Sequence, residues 1–147
     1  MLKALTTTVI SVAIGSLGFV SAADCPSAVT AAALKAHAGA TVQACKQEKE
    51  HGKTQYEVKL GTKDGKQVEL DVSPEGNILL TEEYIAIGDV PPAVMTAFSG
   101  KYSGAKPTRA EKQTAADGKV TYEIAFVVGT KKKEATFAAD GGFIEEE

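Results

Sequence analysis

The chain has 147 residues, 44% of them hydrophobic and 24% charged, with a formal net charge of −3, two cysteines and no tryptophan. Plentiful apolar residues with so small a net charge exclude a mainly disordered chain, and the length excludes a large multidomain enzyme. An acidic balance and a single arginine disfavour a basic nucleic-acid binder, so no nucleic-acid partner is expected.

Residues 1–22 read as an export leader: Lys3, an apolar and small-residue run from Ala4 to Val20, then Ser21-Ala22. Cleavage after Ala22 or Ala23 fits the small-residue rule equally well. Thr6, Thr7, Thr8, Ser11, Gly15, Ser16 and Gly18 make the run a poor membrane span, so no stable anchor is expected after cleavage. The expected compartment is periplasmic or extracellular. Cys25 and Cys45 are an even pair in an oxidising compartment, which reads as a disulfide in a small domain. A zinc set with His37 and His51 is the alternative, but the order Cys25, His37, Cys45, His51 matches no zinc-finger spacing. No metal and no cofactor are expected.

The rest of the chain is written twice. At an offset of 65, Val29 matches Val94, Gly39 matches Gly104, Glu69 matches Glu134, Val72 matches Phe137 and Gly76 matches Gly141. At 66, Gly52 matches Gly118 and Tyr56-Glu57-Val58 matches Tyr122-Glu123-Ile124. A two-residue turn insertion or similar slip near Asp64-Gly65 is the expected source of the changed offset. The expected units are 23–88 and 89–147, each close to the smallest size that buries a core alone.

Each unit opens with a helix. Pro26 and Pro91 suit the first helical position, Val29, Ala33 and Ala36 recur at helical spacing, and Gly39 and Gly104 suit a left-handed cap. Thr41 to Lys49 reads as a weakly patterned strand. Tyr56, Val58 and Leu60 then alternate with Gln55, Glu57 and Lys59, the period of a sheet with one dry face. Asp64-Gly65 predicts a type I′ hairpin, after which Val68, Leu70 and Val72 alternate with Gln67, Glu69 and Asp71. Pro74 to Asn77 turns into a fourth strand that Ile85 and Ile87 can extend. The second unit repeats the scheme, with Val120, Tyr122, Ile124, Phe126 and Val128 on one face. Lys131-Lys132-Lys133 reads as a solvated hairpin turn and Glu145-Glu146-Glu147 as a solvated end. The fold class is α+β, a tandem repeat of a helix followed by a four-stranded antiparallel sheet.

On these residues (Pro26 or Pro91, Tyr56-Glu57-Val58 with Tyr122-Glu123-Ile124, and Val68 through Gly76 with Glu134 through Gly142) the chain resembles the PepSY-like family, the group described as β-lactamase-inhibitor-like. The resemblance implies tandem helix-plus-sheet units whose sheet grips a protein or peptide partner in the cell envelope. Val90 and Ala110 stand where a second cysteine pair would be.

Catalytic groups are sparse. His37 and His51 are the imidazoles, each beside a helix end or turn, and no Gly-x-Ser-x-Gly elbow, phosphate loop or His-Glu-x-x-His helix occurs. The polar sheet face is the better candidate. It carries Gln55, Glu57, Lys59, Gln67, Glu69, Asp71, Thr121, Glu123 and Thr136, with Tyr84 and Tyr102 as aromatic anchors because Tyr56 and Tyr122 point inward. The contact set expected is Glu57, Lys59, Glu69, Asp71, Tyr84, Glu123 and Thr136. The expected function is that of an exported, non-enzymatic binding protein, an inhibitor of a peptidase or hydrolase or an envelope adaptor. A periplasmic small-molecule or metal-ion binder and a small hydrolase are the alternatives.

Overall fold

The computed structural model describes residues 25–50 and 52–147. The leader reading for 1–22 and the placement of His51 therefore fall outside the described residues.

Alanine-rich Ser27–Ala36 forms helix α1, followed by β1 (Thr41–Glu50), β2 (Lys53–Gly61), β3 (Gln67–Val72) and β4 (Ile78–Ile85). A 3-10 turn at Ile87–Asp89 leads into α2 (Pro92–Lys101), then β5 (Lys106–Ala115), β6 (Val120–Val128), β7 (Lys131–Ala138) and β8 (Phe143–Glu146). The eight strands form one antiparallel sheet in chain order. The units are joined by β4 against β5, from Leu80 opposite Ala115 to Ile85 opposite Ala110.

Both helices cover the same face of this sheet. The alternation on β2 and β3 places Val58, Leu60, Val68, Leu70 and Val72 against Val29 and Ala33 of α1. In the second unit Ile124, Phe126, Ala135 and Phe137 meet Val94 and Phe98 of α2. Phe98 packs edge-on to Phe126 at 5.1 Å between ring centroids. Each such side chain, fully buried, stabilises the fold by about 1.5–3 kcal/mol. Val128 is the exception to the expected inward row, because it lies at the strand end and is 49% exposed.

Cys25 and Cys45 form a disulfide with Cα atoms 5.8 Å apart. It fixes the start of α1 to the middle of β1. The second unit fills the equivalent positions with buried Val90 and Ala110, so apolar packing replaces the covalent link there.

The change of offset has two sources rather than one. The β1–β2 hairpin turns between Glu50 and Lys53, whereas the β5–β6 hairpin uses Ala116, Asp117 and Gly118. The β2–β3 hairpin uses Lys63, Asp64 and Gly65, whereas β6–β7 turns on Gly129-Thr130 alone. One residue is gained and then one is lost. Asp64-Gly65 therefore belongs to a three-residue loop, closed by Gly65 N–H to Thr62 O and Thr62 N–H to Lys66 O, instead of a two-residue type I′ turn.

Other local expectations are corrected as well. Pro26 and Pro91 occupy the N-caps, and Pro92 takes the first helical position. The helices end at His37 and Tyr102. Gly39 and Gly104 lie two residues beyond, in turns closed by Ala40 N–H to His37 O and Ala105 N–H to Tyr102 O. Lys131-Lys132-Lys133 begins β7, and Glu145 and Glu146 belong to the edge strand β8.

Candidate functional site

The sheet face turned away from the helices is a concavity of about 560 Å³. Eleven acidic side chains line it against three basic ones, Lys49, Lys59 and Arg109. The whole chain carries only −3, so negative charge is concentrated on this face. All seven residues of the expected contact set line it: Glu57, Lys59 on β2, Glu69, Asp71 on β3, Tyr84 on β4, Glu123 on β6 and Thr136 on β7. Gln67 is exposed at the strand start and does not reach it. Tyr102 is on the helix side, where its ring packs on Phe126 at 4.4 Å and its hydroxyl donates to Glu146 at 2.5 Å.

Strand register explains the electrostatics. Three acidic pairs stand directly opposite one another: Glu57 with Asp71, Glu69 with Glu82, and Glu111 with Glu123. Opposed residues in antiparallel strands hold their Cβ atoms about 4.5–5.5 Å apart, where like charges destabilise. Two cations relieve part of this repulsion. Lys59 Nζ lies 2.9 Å from Glu69 and 3.5 Å from Glu57. Arg109 reaches Glu111 at 2.9 Å, Glu134 at 2.8 Å and Glu123 at 3.6 Å, with its guanidinium 5.5 Å from the Tyr84 ring centroid. The Tyr84 hydroxyl donates to Glu69 at 2.6 Å, tying the two cationic centres together.

Among the described residues the remaining carboxylates are held by amides or by no side chain, except Glu48, which Lys46 also reaches at 3.4 Å. Gln55 Nε2 donates to Glu48 and Glu50, and Gln113 Nε2 donates to Glu82 and Glu123. Burial, followed by the charges of Glu48, Glu50, Glu57 and Glu69, raises the Asp71 carboxyl from 3.8 to about 7. Burial, with Glu111 and Asp71 adding to it, raises Glu82 to about 8. Burial, Glu134 and Glu111 raise Glu123 to about 7 against the pull of Arg109. For Lys59 and Arg109, burial opposes the charged form, but the surrounding carboxylates outweigh it and both are raised. The face is short of positive charge.

Several of these groups were not anticipated from sequence: Glu48, Glu50, Glu82, Arg109, Glu111, Gln113 and Glu134. Glu145 and Glu147, expected as a solvated end, also line the concavity, because β8 pairs with β7 through Thr136 opposite Glu145. The signal that would have found Arg109, Glu111 and Gln113 is polar alternation with Ala110, and only the register of β5 gives it meaning. Among the described residues no group of three His, Cys, Asp or Glu side chains is placed to hold a metal ion. No described helix is long and apolar enough to cross a membrane.

Comparison with known proteins agrees with this architecture. Residues 26–76, from the start of α1 to the β3–β4 turn, match the PepSY family model, described as peptidase propeptide and YPEB domain. No curated protein matches the sequence. Among solved structures, the chain is similar to a BLIP-like protein from Bacteroides fragilis NCTC 9343, at 26% identity and a TM-score of 0.61, covering 82% of this chain and 83% of that one. It is also similar to a DUF2874 family protein from Bacteroides uniformis ATCC 8492, at 17% identity and a TM-score of 0.68, covering 84% of this chain and 88% of that one. A DUF2874 family protein from Bacteroides ovatus ATCC 8483 shares the fold at 13% identity and a TM-score of 0.65, with coverages of 83% and 86%. The chain thus contains a segment similar to the PepSY domain and shares with the BLIP-like protein a fold of one sheet beneath two helices.

Proposed function

We propose that this PepSY-like chain is an exported, non-enzymatic binding protein that engages a protein or peptide of the cell envelope through the concave face of its sheet. The observation that carries the reading is the charge of that face, eleven acidic side chains against three basic ones on a surface that neither described helix covers. Helices occupy the opposite face, so a partner's loop or strand can approach the concavity without displacing the core. Buried carboxylates opposed in pairs gain when a partner supplies positive charge, and such complementarity favours both encounter rate and choice of partner. The resemblance to a BLIP-like protein supports protein binding as the mode, in the role of a peptidase or hydrolase inhibitor or of an envelope adaptor. The leader sequence and the Cys25–Cys45 disulfide support an oxidising compartment.

The test compares capture from an envelope fraction by the native protein and by a Glu57→Gln, Asp71→Asn, Glu82→Gln variant. Neutral substitutions are chosen, and Glu69 is spared, because Glu69 holds both Lys59 and Tyr84. A partner recovered in stoichiometric amount by the native protein and lost by the folded variant supports the reading. Equal recovery by both refutes it.

A further inference from the structure

One end of the sheet carries a patch opposite in character to the concave face. Residues 127–132, the tip of the β6–β7 hairpin, are all exposed and read Val-Val-Gly-Thr-Lys-Lys. Val127 is 39% and Val128 49% exposed. Strand register surrounds these valines with cations. Lys106 on β5 and Lys132 on β7 both stand opposite Val127, and Lys131 stands opposite Val128. The end of α2 completes the patch, where Lys101 and Tyr102 line a groove of about 430 Å³ together with Val127 and Val128. Among the described residues Lys101, Lys106, Lys131 and Lys132 join no ion pair, whereas Lys133 beside them is paired with Glu146, and Glu134 with Arg109. Glu147 is the acid left near Lys132, so positive charge is in excess.

The fold does not require this chemistry. At the offset of 66 the first unit has Gly61 and Thr62 where the second has Val127 and Val128. There the Thr62 hydroxyl donates to Lys66 O at 2.9 Å, and Lys66 is paired with Asp64 at 3.3 Å, so that hairpin satisfies itself in water. Exposed valines among unpaired lysines suit a surface that is anionic outside and apolar beneath. A leaflet of acidic phospholipids is such a surface, because cations meet its headgroups while short apolar side chains enter between them. A hairpin tip is too narrow for a stable protein interface, which takes about 20–30 residues a side, but a flat leaflet asks for no matching shape.

We propose that the β6–β7 tip and the adjoining end of α2 dock the protein reversibly on an anionic phospholipid surface. Val127 and Val128 enter the headgroup layer, and Lys101, Lys106, Lys131 and Lys132 meet the phosphates. The carboxylates of the concave face are repelled by the same lipid, which leaves that face clear of the leaflet.

The experiment is vesicle co-sedimentation of the disulfide-intact protein recovered from the envelope, at low salt. Vesicles of phosphatidylcholine with about 30% phosphatidylglycerol are compared with phosphatidylcholine alone. Binding to the anionic vesicles only, lost at about 0.5 M salt, is expected. The pair Lys131→Gln, Lys132→Gln should weaken it about twentyfold, and the pair Val127→Ser, Val128→Ser about tenfold. The charge-matched pair Lys53→Gln, Lys119→Gln lies in turns at the opposite end of the sheet, about 30 Å or three Debye lengths away, and should change it by less than about twofold. All these positions are exposed, and equal melting temperatures establish that the variants are folded. The chain has no tryptophan, so Val128→Trp supplies a single reporter whose emission should shift to the blue on anionic vesicles, while Leu34→Trp, exposed on α1, should not respond. Equal binding to both vesicles, binding that survives the lysine or the valine pair, or an equal loss with Lys53→Gln, Lys119→Gln would overturn the proposal. Loss of vesicle binding with capture of an envelope partner intact would remove the lipid contact and leave the concave face as the binding surface.

Discussion

Replacing Asp71 by Asn should make this protein more stable, and the gain should grow with pH. The Asp71 carboxyl is raised from 3.8 to about 7, first by burial and then by Glu48, Glu50, Glu57 and Glu69. In the unfolded chain it ionises near 3.8, so the folded state keeps a proton that the unfolded state releases. Stability contributed by this group is therefore full below about pH 4, falls as pH rises, and levels off above about pH 7. Taken at 1.36 kcal/mol per pH unit the difference corresponds to about 4 kcal/mol. Water on the open face screens part of that, and about 1–2 kcal/mol is the expected gain at pH 8. An Asn amide at this position can donate to the surrounding carboxylates, so the substitution leaves no orphaned donor. At about 3–5 °C per kcal/mol for a domain of this size, the melting temperature should rise by about 3–10 °C at pH 8 and hardly at all at pH 4. Thermal unfolding of both proteins at the two pH values, with the disulfide intact, reads this directly. A gain that is equal at pH 4 and pH 8, or a loss at pH 8, would show that Asp71 is not held among like charges.

The same reasoning applied to the whole face makes the native protein less stable at pH 8 than at pH 5, because Glu82 and Glu123 are raised in the same sense as Asp71; urea unfolding at constant ionic strength measures it. Gly141→Ala should cost about 2–4 kcal/mol: its φ is +91° and a Cβ would lie 2.7 Å from the Ala93 carbonyl oxygen of α2, whereas Gly118→Ala, at +85° in open space, should cost about 1 kcal/mol by the same assay. Reducing the Cys25–Cys45 disulfide, which closes a separation of 20 residues, should lower the unfolding free energy by about 3 kcal/mol, and denaturant curves with and without reductant check this.

The alternation on β2, β3 and β6 was readable because large apolar residues repeat at period two, with Tyr56, Val58, Leu60 and their counterparts facing the helices. β5 was not readable by the same pattern. Its helix-side position opposite Ile124 is the small Ala110, while Glu111 and Gln113 on the opposite side are the more deeply buried of its polar residues, at 4% and 9% exposed. Burial there comes from neighbouring side chains of the concave face itself, a tertiary effect that hydropathy along the strand does not register. β8 escaped for a related reason: Glu145 and Glu146 look like a solvated tail, yet pairing with β7 turns Glu145 into the concavity and sets Glu146 against Lys133 and Tyr102. Tyr102 illustrates the converse. An aromatic residue after a helix could serve either face, and the aromatic cluster of Phe98 and Phe126 draws it to the core side. The expected contact residues converge on one surface because they share a strand parity in both units, which a two-residue period preserves even where turn lengths differ by one.

Site-specific photo-crosslinking in the living cell tests the binding face most directly. A photoreactive residue placed at Gln113 on the concave face should give a discrete adduct with an envelope protein, and one placed at Leu34, exposed on α1, should give none. An adduct formed from Leu34 and not from Gln113 would contradict the account.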